Sequence, residues 1–224
     1  MNKTLELFLS KEYEDKINKK MMWYDYTFPK DEVISYINKV IEVPVSDFMD
    51  NIFGITTGDT ISAKDVFQFS SLNDATFRMC EEVFKYGNPG LTHIEAGKLL
   101  LNDGVKRKDG ALTKYGENHV KTARDLGLMY EITGSYFLSC IGQVINELPE
   151  DKQEKLLVRL ALRNKLVRRL LKTVQYGEVH AREVLGMLSD STYTRRKPNV
   201  KKILSILEES SEYDFSTYLD RIIY

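Results

Sequence analysis

The chain has 224 residues, 42 % apolar, 29 % charged and 11 % aromatic. That is enough core material for one large domain or two to three small ones, and it excludes disorder as the main state. No apolar run nears the roughly 18 residues that cross a bilayer, and the first residues lack the pattern of a signal peptide. Cys80 and Cys140 are too few for a disulfide scaffold, so the expectation is a cytoplasmic protein with reduced thiols and no membrane contact.

The net charge of −1 hides an uneven distribution. Residues 1–104 carry 11 Lys and Arg against 17 Asp and Glu, residues 105–202 carry 20 against 11, and residues 203–224 carry 1 against 5. A basic middle between acidic ends attracts polyanions, because neutralised phosphates supply much of nucleic-acid affinity.

From the N-terminus, Leu5, Leu9, Tyr13 and Ile17 recur at four-residue spacing and predict a helix over 3–20. Trp23 to Phe28 is an aromatic patch, read as core or as a partner surface, and Pro29 ends it. Asp31 to Ile41 predicts a second helix. Pro44 stops it, Ser46 opens a short segment, and Gly54 to Asp59 reads as a loop. A helix then runs from Asn73 or Asp74 to Lys85, with Phe77, Cys80, Glu81 and Phe84 spaced for one face. Tyr86-Gly87-Asn88-Pro89-Gly90 ends it. Thr92 with Glu95 forms a capping box for the next helix, to Leu101. A basic loop leads to a third helix, roughly Leu112 to Leu126, ended by Gly127. Leu128 to Thr133 and Tyr136 to Leu138, around Gly134-Ser135, predict a hairpin.

Helix, helix, helix, hairpin is the order of a winged helix-turn-helix, in which the third helix enters the major groove. A second cycle follows. A long helix runs from Pro149 to about Gln175, another from Glu178 to Leu188, and a third from Tyr193 to Leu207, with regular helix expected from near Lys197 because Pro198 suits a first turn. A wing tip is expected at Glu208 to Tyr213. Both cycles have a Tyr-Gly stop (Tyr86-Gly87, Tyr176-Gly177), then a His (His93, His180) and an acid (Glu95, Glu183), which reads as a weak repeat. The expected fold is mainly α, with tandem winged helix-turn-helix units bearing short β-hairpin wings and an N-terminal helical region. The expected boundaries are 1–60, 61–148 and 149–224.

In the first cycle, Thr113, Lys114, Asn118, Lys121 and Thr122 are expected to point outward. Asn pairs bidentately with adenine, and Lys or Thr meets guanine or phosphate. Lys106, Arg107 and Lys108 lie just before that helix, suited to backbone phosphates. In the second cycle, Thr192, Tyr193, Thr194, Arg195, Arg196, Lys197 and Lys201 form the densest cationic and hydroxyl string of the chain. A capped helix start there also offers N–H groups to phosphate. The three histidines are isolated and read as packed or surface residues. Neither a phosphate loop nor a nucleophile elbow occurs. Glu14-Asp15-Lys16 and Glu150-Asp151-Lys152 read as helix charges, not a nuclease site. No catalytic residue, metal or cofactor is expected.

Two strings carry a family resemblance. Gly110-Ala111-x-x-Lys114-Tyr115-Gly116-Glu117-Asn118-His119-Val120-Lys121-x-Ala123-x-x-Leu126-x-Leu128 is one, and Ser191-Thr192-Tyr193-Thr194-Arg195-Arg196-Lys197-x-x-Val200-Lys201-x-Ile203-Leu204 is the other. They resemble the winged-helix DNA-binding region of certain type II restriction endonucleases and related restriction-modification proteins. Gln68-Phe69 to Tyr86 is a looser match, and the resemblance spans about 61–207. Its Thr-to-Arg spacing in the second string is shorter than the family's, and the family's nuclease domain is not visible. The resemblance implies double-stranded DNA binding by a specificity or regulatory component of a restriction or defence system. A homodimer or a restriction-system partner subunit would be its companion. Two other readings stay open: winged helices that bind protein, and a nuclease subunit with a diverged site.

Overall fold

The computed structural model describes residues 2–23, 27–54, 60–66, 68–186 and 189–224, with the backbone alone at Trp23. The aromatic patch expected at Trp23 to Phe28 therefore lies largely outside the described residues, as does most of the 54–59 loop. In chain order the first helices are α1 (Lys3–Ser10), α2 (Glu12–Trp23), α3 (Lys30–Glu42) and α4 (Val45–Gly54). Next come α5 (Leu72–Ala75), α6 (Phe77–Lys85), α7 (His93–Leu100) and α8 (Asp109–Asp125). The strands β1 (Met129–Ile132) and β2 (Ser135–Leu138) follow, then α9 (Cys140–Val144), α10 (Glu150–Arg163) and α11 (Lys165–Val174). The chain closes with β3 (Val179–His180), α12 (Ala181–Val184), α13 (Asp190–Glu208), α14 (Ser216–Leu219) and β4 (Ile222–Ile223). The protein is mainly helical, with two small sheets, and no helix among the described residues is long and apolar enough to cross a membrane.

The contacts group the chain into two units, Met1–Glu42 with Phe69–Gln153 and Val43–Gln68 with Glu154–Tyr224. The division differs from boundaries at 60 and 148, because each unit is built from two separated stretches of chain.

In the first unit, the helix expected over 3–20 is broken at Lys11, whose φ of 59° caps α1 by its N–H to the Phe8 carbonyl. The expected 73–85 helix is likewise two helices. Ser71 caps α5, and Thr76 interrupts the run with φ −127° and ψ −95°. The resulting turn buries Met79, Cys80 and Val83 and leaves Phe84 half exposed, so Phe84 is not on the core face. The capping box of α7 forms between Thr92 and Glu95. Helices α7 and α8 meet backbone to backbone. A Cβ on Gly97 would stand 2.0 Å from the Leu112 carbonyl oxygen, and one on Gly116 1.8 Å from that of His93. Only glycine permits that approach. Gly127 (φ 84°) ends α8, with the Leu128 N–H on the Ala123 carbonyl (2.8 Å) and its own N–H on that of Arg124 (2.8 Å), a Schellman arrangement. β1 and β2 pair antiparallel around Thr133 (φ 47°) and Gly134 (φ 85°). Two consecutive positive φ values give the turn that matches strand twist. Leu91 adds one antiparallel bridge to Tyr136.

In the second unit, the Leu-rich stretch expected as one helix is broken by Asn164. Its side chain accepts from the N–H groups of Leu166 and Val167 and so starts α11. Arg159, 1 % exposed, donates to the Val43 carbonyl (2.9 Å) and is ion-paired with Glu212. It thereby ties three stretches of this unit together. The helix expected over 178–188 is only the four residues of α12, preceded by β3; Met187 and Leu188 lie outside the described residues. The wing expected at 208–213 does not form. Instead, Val179 and His180 of β3 pair in parallel with Ile222 and Ile223 of β4.

Candidate nucleic-acid interface

Helix α8 begins after Lys108, whose side chain makes no capping bond. Lys106 and Lys108 are exposed and make no ion pair among the described residues. Arg107 is not free in the same way. It donates twice to Asp103 (2.5 and 2.6 Å), and this holds the Asp103 carboxyl well below the usual carboxylate range. The Thr113 hydroxyl donates to the Asp109 carbonyl (2.8 Å).

Glu117 lies between two lysines. Its Oε2 accepts from Lys114 and its Oε1 from Lys121, each at 2.7 Å. Those two bonds, Lys114's first, lower the Glu117 carboxyl to about 2. Lysines three residues before and four after a glutamate lie on one helix face, which is why both reach it. At the far end of the same face, Arg124 bonds Asp125 and Glu131. The cations of α8 are thus largely neutralised by acids of their own unit.

Asn118 and Thr122 are not outward, contrary to expectation. Asn118 is 7 % and Thr122 3 % exposed, and the Thr122 hydroxyl donates to the Asn118 carbonyl (2.8 Å). The cause is the width of the buried arc: Gly116, Asn118, His119, Val120, Thr122 and Ala123 are all buried, wider than one apolar stripe. His119 supports one edge of that arc. Its Nδ1 bonds the Tyr115 carbonyl (2.7 Å), while its Nε2 accepts from the Ser70 N–H (3.2 Å) and meets the Ser70 hydroxyl (3.0 Å). The Tyr115 hydroxyl donates to Asp74 (3.0 Å), which also pairs with Arg78 (3.1 Å). Burial opposes ionisation of Asp74, but hydrogen bonds from Arg78, Tyr115, Ser71 and Ser70 win, and its carboxyl is held below the ordinary value. This network fixes the rotation of α8 about its axis.

Helix α13 is different in kind. It starts at Asp190, not near Lys197, because the Ser189 side chain caps it by accepting the Thr192 N–H. Pro198 lies inside the helix. Its cost, about 3 kcal/mol in a helix interior, is offset by the buried face of Tyr193, Val200, Ile203, Leu204 and Leu207. The opposite face exposes Ser191, Thr194, Arg195, Pro198 and Lys201, with Arg196, Lys197, Lys202 and Thr192 half-buried beside it. Tyr193 is buried and so is not on the exposed face, contrary to expectation. Arg195, Lys197 and Lys201 form no ion pair among the described residues. The Arg195 Nε donates to the Ser191 carbonyl (3.2 Å), and the Lys201 ammonium lies 4.4 Å from the centre of the Tyr224 ring.

Among the described residues, no group of three or more His, Cys, Asp and Glu is arranged to hold a metal ion. Comparison with protein-family models, curated proteins and solved structures returns no match.

Sequence reasoning missed Arg182 and Glu117. Arg182, on α12, lies with its guanidinium 5.9 Å over the Tyr193 ring and is ion-paired with Asp190. No spacing in the sequence announces that contact. Glu117 was legible, as an acid three residues after one lysine and four before another.

Proposed function

We propose that the protein binds double-stranded DNA and that α13 supplies the greater part of the electrostatic contact. The observation that carries this reading is the exposed stripe Ser191, Thr194, Arg195, Pro198, Lys201, in which Arg195 and Lys201 have no acidic partner among the described residues. A cation already paired with a carboxylate must give up that partner to neutralise a phosphate, whereas an uncompensated one displaces the counterions condensed on the duplex without that cost. Residues 154–224 carry 14 Lys and Arg against 9 Asp and Glu, which supports the same surface. Ser191 adds a hydroxyl suited to phosphate oxygens, while the Thr194 hydroxyl already donates to the Asp190 carbonyl (2.9 Å).

We read the first unit as a winged helix-turn-helix. Helix α6, the Leu91 bridge, α7, α8 and the β1–β2 hairpin follow the order of that motif, and the single Leu91–Tyr136 bridge beside the hairpin supports the reading. In this reading Lys106 and Lys108 meet backbone phosphates beside the start of α8. In the second unit, α11, the four-residue α12 and α13 follow one another in the chain, and no hairpin wing occurs among the described residues. A role in a restriction or defence system rests on the resemblance of the two strings alone. The ion pairs of α8 favour a second reading for the first unit only, a face that binds protein.

The test is a gel-shift titration of a random duplex at two salt concentrations. Affinity that falls steeply with salt supports the reading, with a log–log slope near −0.9 for each phosphate neutralised. Retention that ignores salt refutes it.

A further inference from the structure

We infer that Glu117 is a specificity-determining residue that selects a cytosine in the bound duplex. The inference rests on the DNA-binding reading of α8 given above. Thr113, Lys114, Glu117, Lys121 and Arg124 follow one another at helical spacing on the side of α8 opposite its buried arc. Glu117 is the middle of that row. A carboxylate there is repelled by every phosphate, so it is useful against a duplex only where it meets a hydrogen-bond donor.

Base edges in the major groove offer two kinds of amino donor, cytosine N4 and adenine N6. Adenine N6 is flanked by the N7 acceptor, whose lone pair repels a carboxylate oxygen. Cytosine N4 is flanked by C5–H, which does not. The carboxylate therefore discriminates in favour of cytosine.

Lys114 and Lys121 make the arrangement workable. Each takes one oxygen of Glu117 at 2.7 Å, and a carboxylate oxygen has two acceptor directions, so each oxygen retains one. The two ammonium groups offset the negative charge as the helix approaches the duplex. They also fix the side chain in one rotamer before binding, which removes an ordering cost from the bound state. Glu117 is 25 % exposed and Lys114 60 %, so the pair remains open to the groove side. The lowered carboxyl value keeps Glu117 ionised near neutral pH.

The experiment is selection from a random duplex library with the full chain, as wild type, Glu117→Ala and Glu117→Gln, with thermal melts to show that each variant folds. The wild type is expected to enrich cytosine at one position. Glu117→Ala loses that preference by roughly tenfold, and Glu117→Gln moves it toward adenine, because an amide pairs with N6 and N7 together. An unchanged preferred site in both variants overturns the inference. So does an equal tightening of both variants on every sequence, which is a charge effect alone. A wild type that binds duplexes with no preference overturns the inference and leaves DNA binding standing. A wild type that binds no duplex overturns DNA binding itself, and the inference with it.

Discussion

Helices α8 and α13 each follow a shorter helix, but α8 carries three Lys and Arg against three Asp and Glu and α13 five against two, and the fold treats their cations differently. On α8, Glu117 takes both Lys114 and Lys121 and Arg124 is held by Asp125 and Glu131, and in the loop before it Arg107 is held by Asp103. On α13, Arg195 and Lys201 are exposed and form no ion pair among the described residues. For Lys114 and Lys121 the partner is Glu117, three and four residues away, whereas Arg124 is held by Asp125 beside it and by Glu131 on the hairpin. At three and four residues from Arg195 and Lys201 stand hydroxyls, Pro198 and Lys197 but no acid. The same difference separates a pre-set, half-neutral surface from one that gains by meeting phosphate.

The contrast depends on α8 being seated without freedom, and the largest effect expected is from removing that seat. Gly116→Ala ordinarily helps a helix by about 1 kcal/mol, but here its Cβ would stand 1.8 Å from the His93 carbonyl oxygen. We expect a net loss of about 3 kcal/mol in a denaturant titration; a gain would show that α7 and α8 are not in backbone contact. Next in size is the double variant Arg195→Ala, Lys201→Ala. It should weaken duplex affinity roughly 30-fold at physiological salt and reduce the magnitude of the log–log salt slope by about 2. Lys106→Ala with Lys108→Ala acts on the first unit. It should weaken affinity by about tenfold at most, uniformly across sequences, and a change in preferred site would give these lysines a reading role. The smallest effect concerns acid. The carboxyl of Glu117 is lowered from 4.5 to about 2, so its pairing stabilises the fold fully above pH 4.5 and is lost as pH falls through about 2. The stability difference between wild type and Glu117→Gln, under about 1 kcal/mol for a surface pair, should shrink across that window. A difference constant from pH 6 to pH 2 would contradict the pairing.

Local chemistry was legible where one residue type has one use. Thr92 and Glu95 announced their capping box, Gly127 announced the end of α8, and Thr133-Gly134 lie within one residue of the expected turn. What escaped was set by tertiary context. Asn164 looks like one polar residue in a leucine-rich helix, and nothing nearby says that its side chain will cap a new one. Pro198 reads as a first-turn residue until the buried face of α13 holds the helix through it. Asn118 and Thr122 looked outward because a single apolar stripe was assumed, whereas α8 is covered over a wider arc. The second wing failed because β3 took β4 as its partner, a pairing 43 residues away in sequence that no turn signal encodes.

The central claim is that the exposed face of α13 meets duplex DNA, and a photoreactive side chain tests it directly. With a benzophenone residue in the position of Thr194, irradiation with labelled duplex should give a cross-link that high salt abolishes. The same group in the position of Tyr176, 82 % exposed and outside that face, should give little. Equal cross-linking at both positions, or none at 194 under conditions where the protein retains the duplex, would contradict the account.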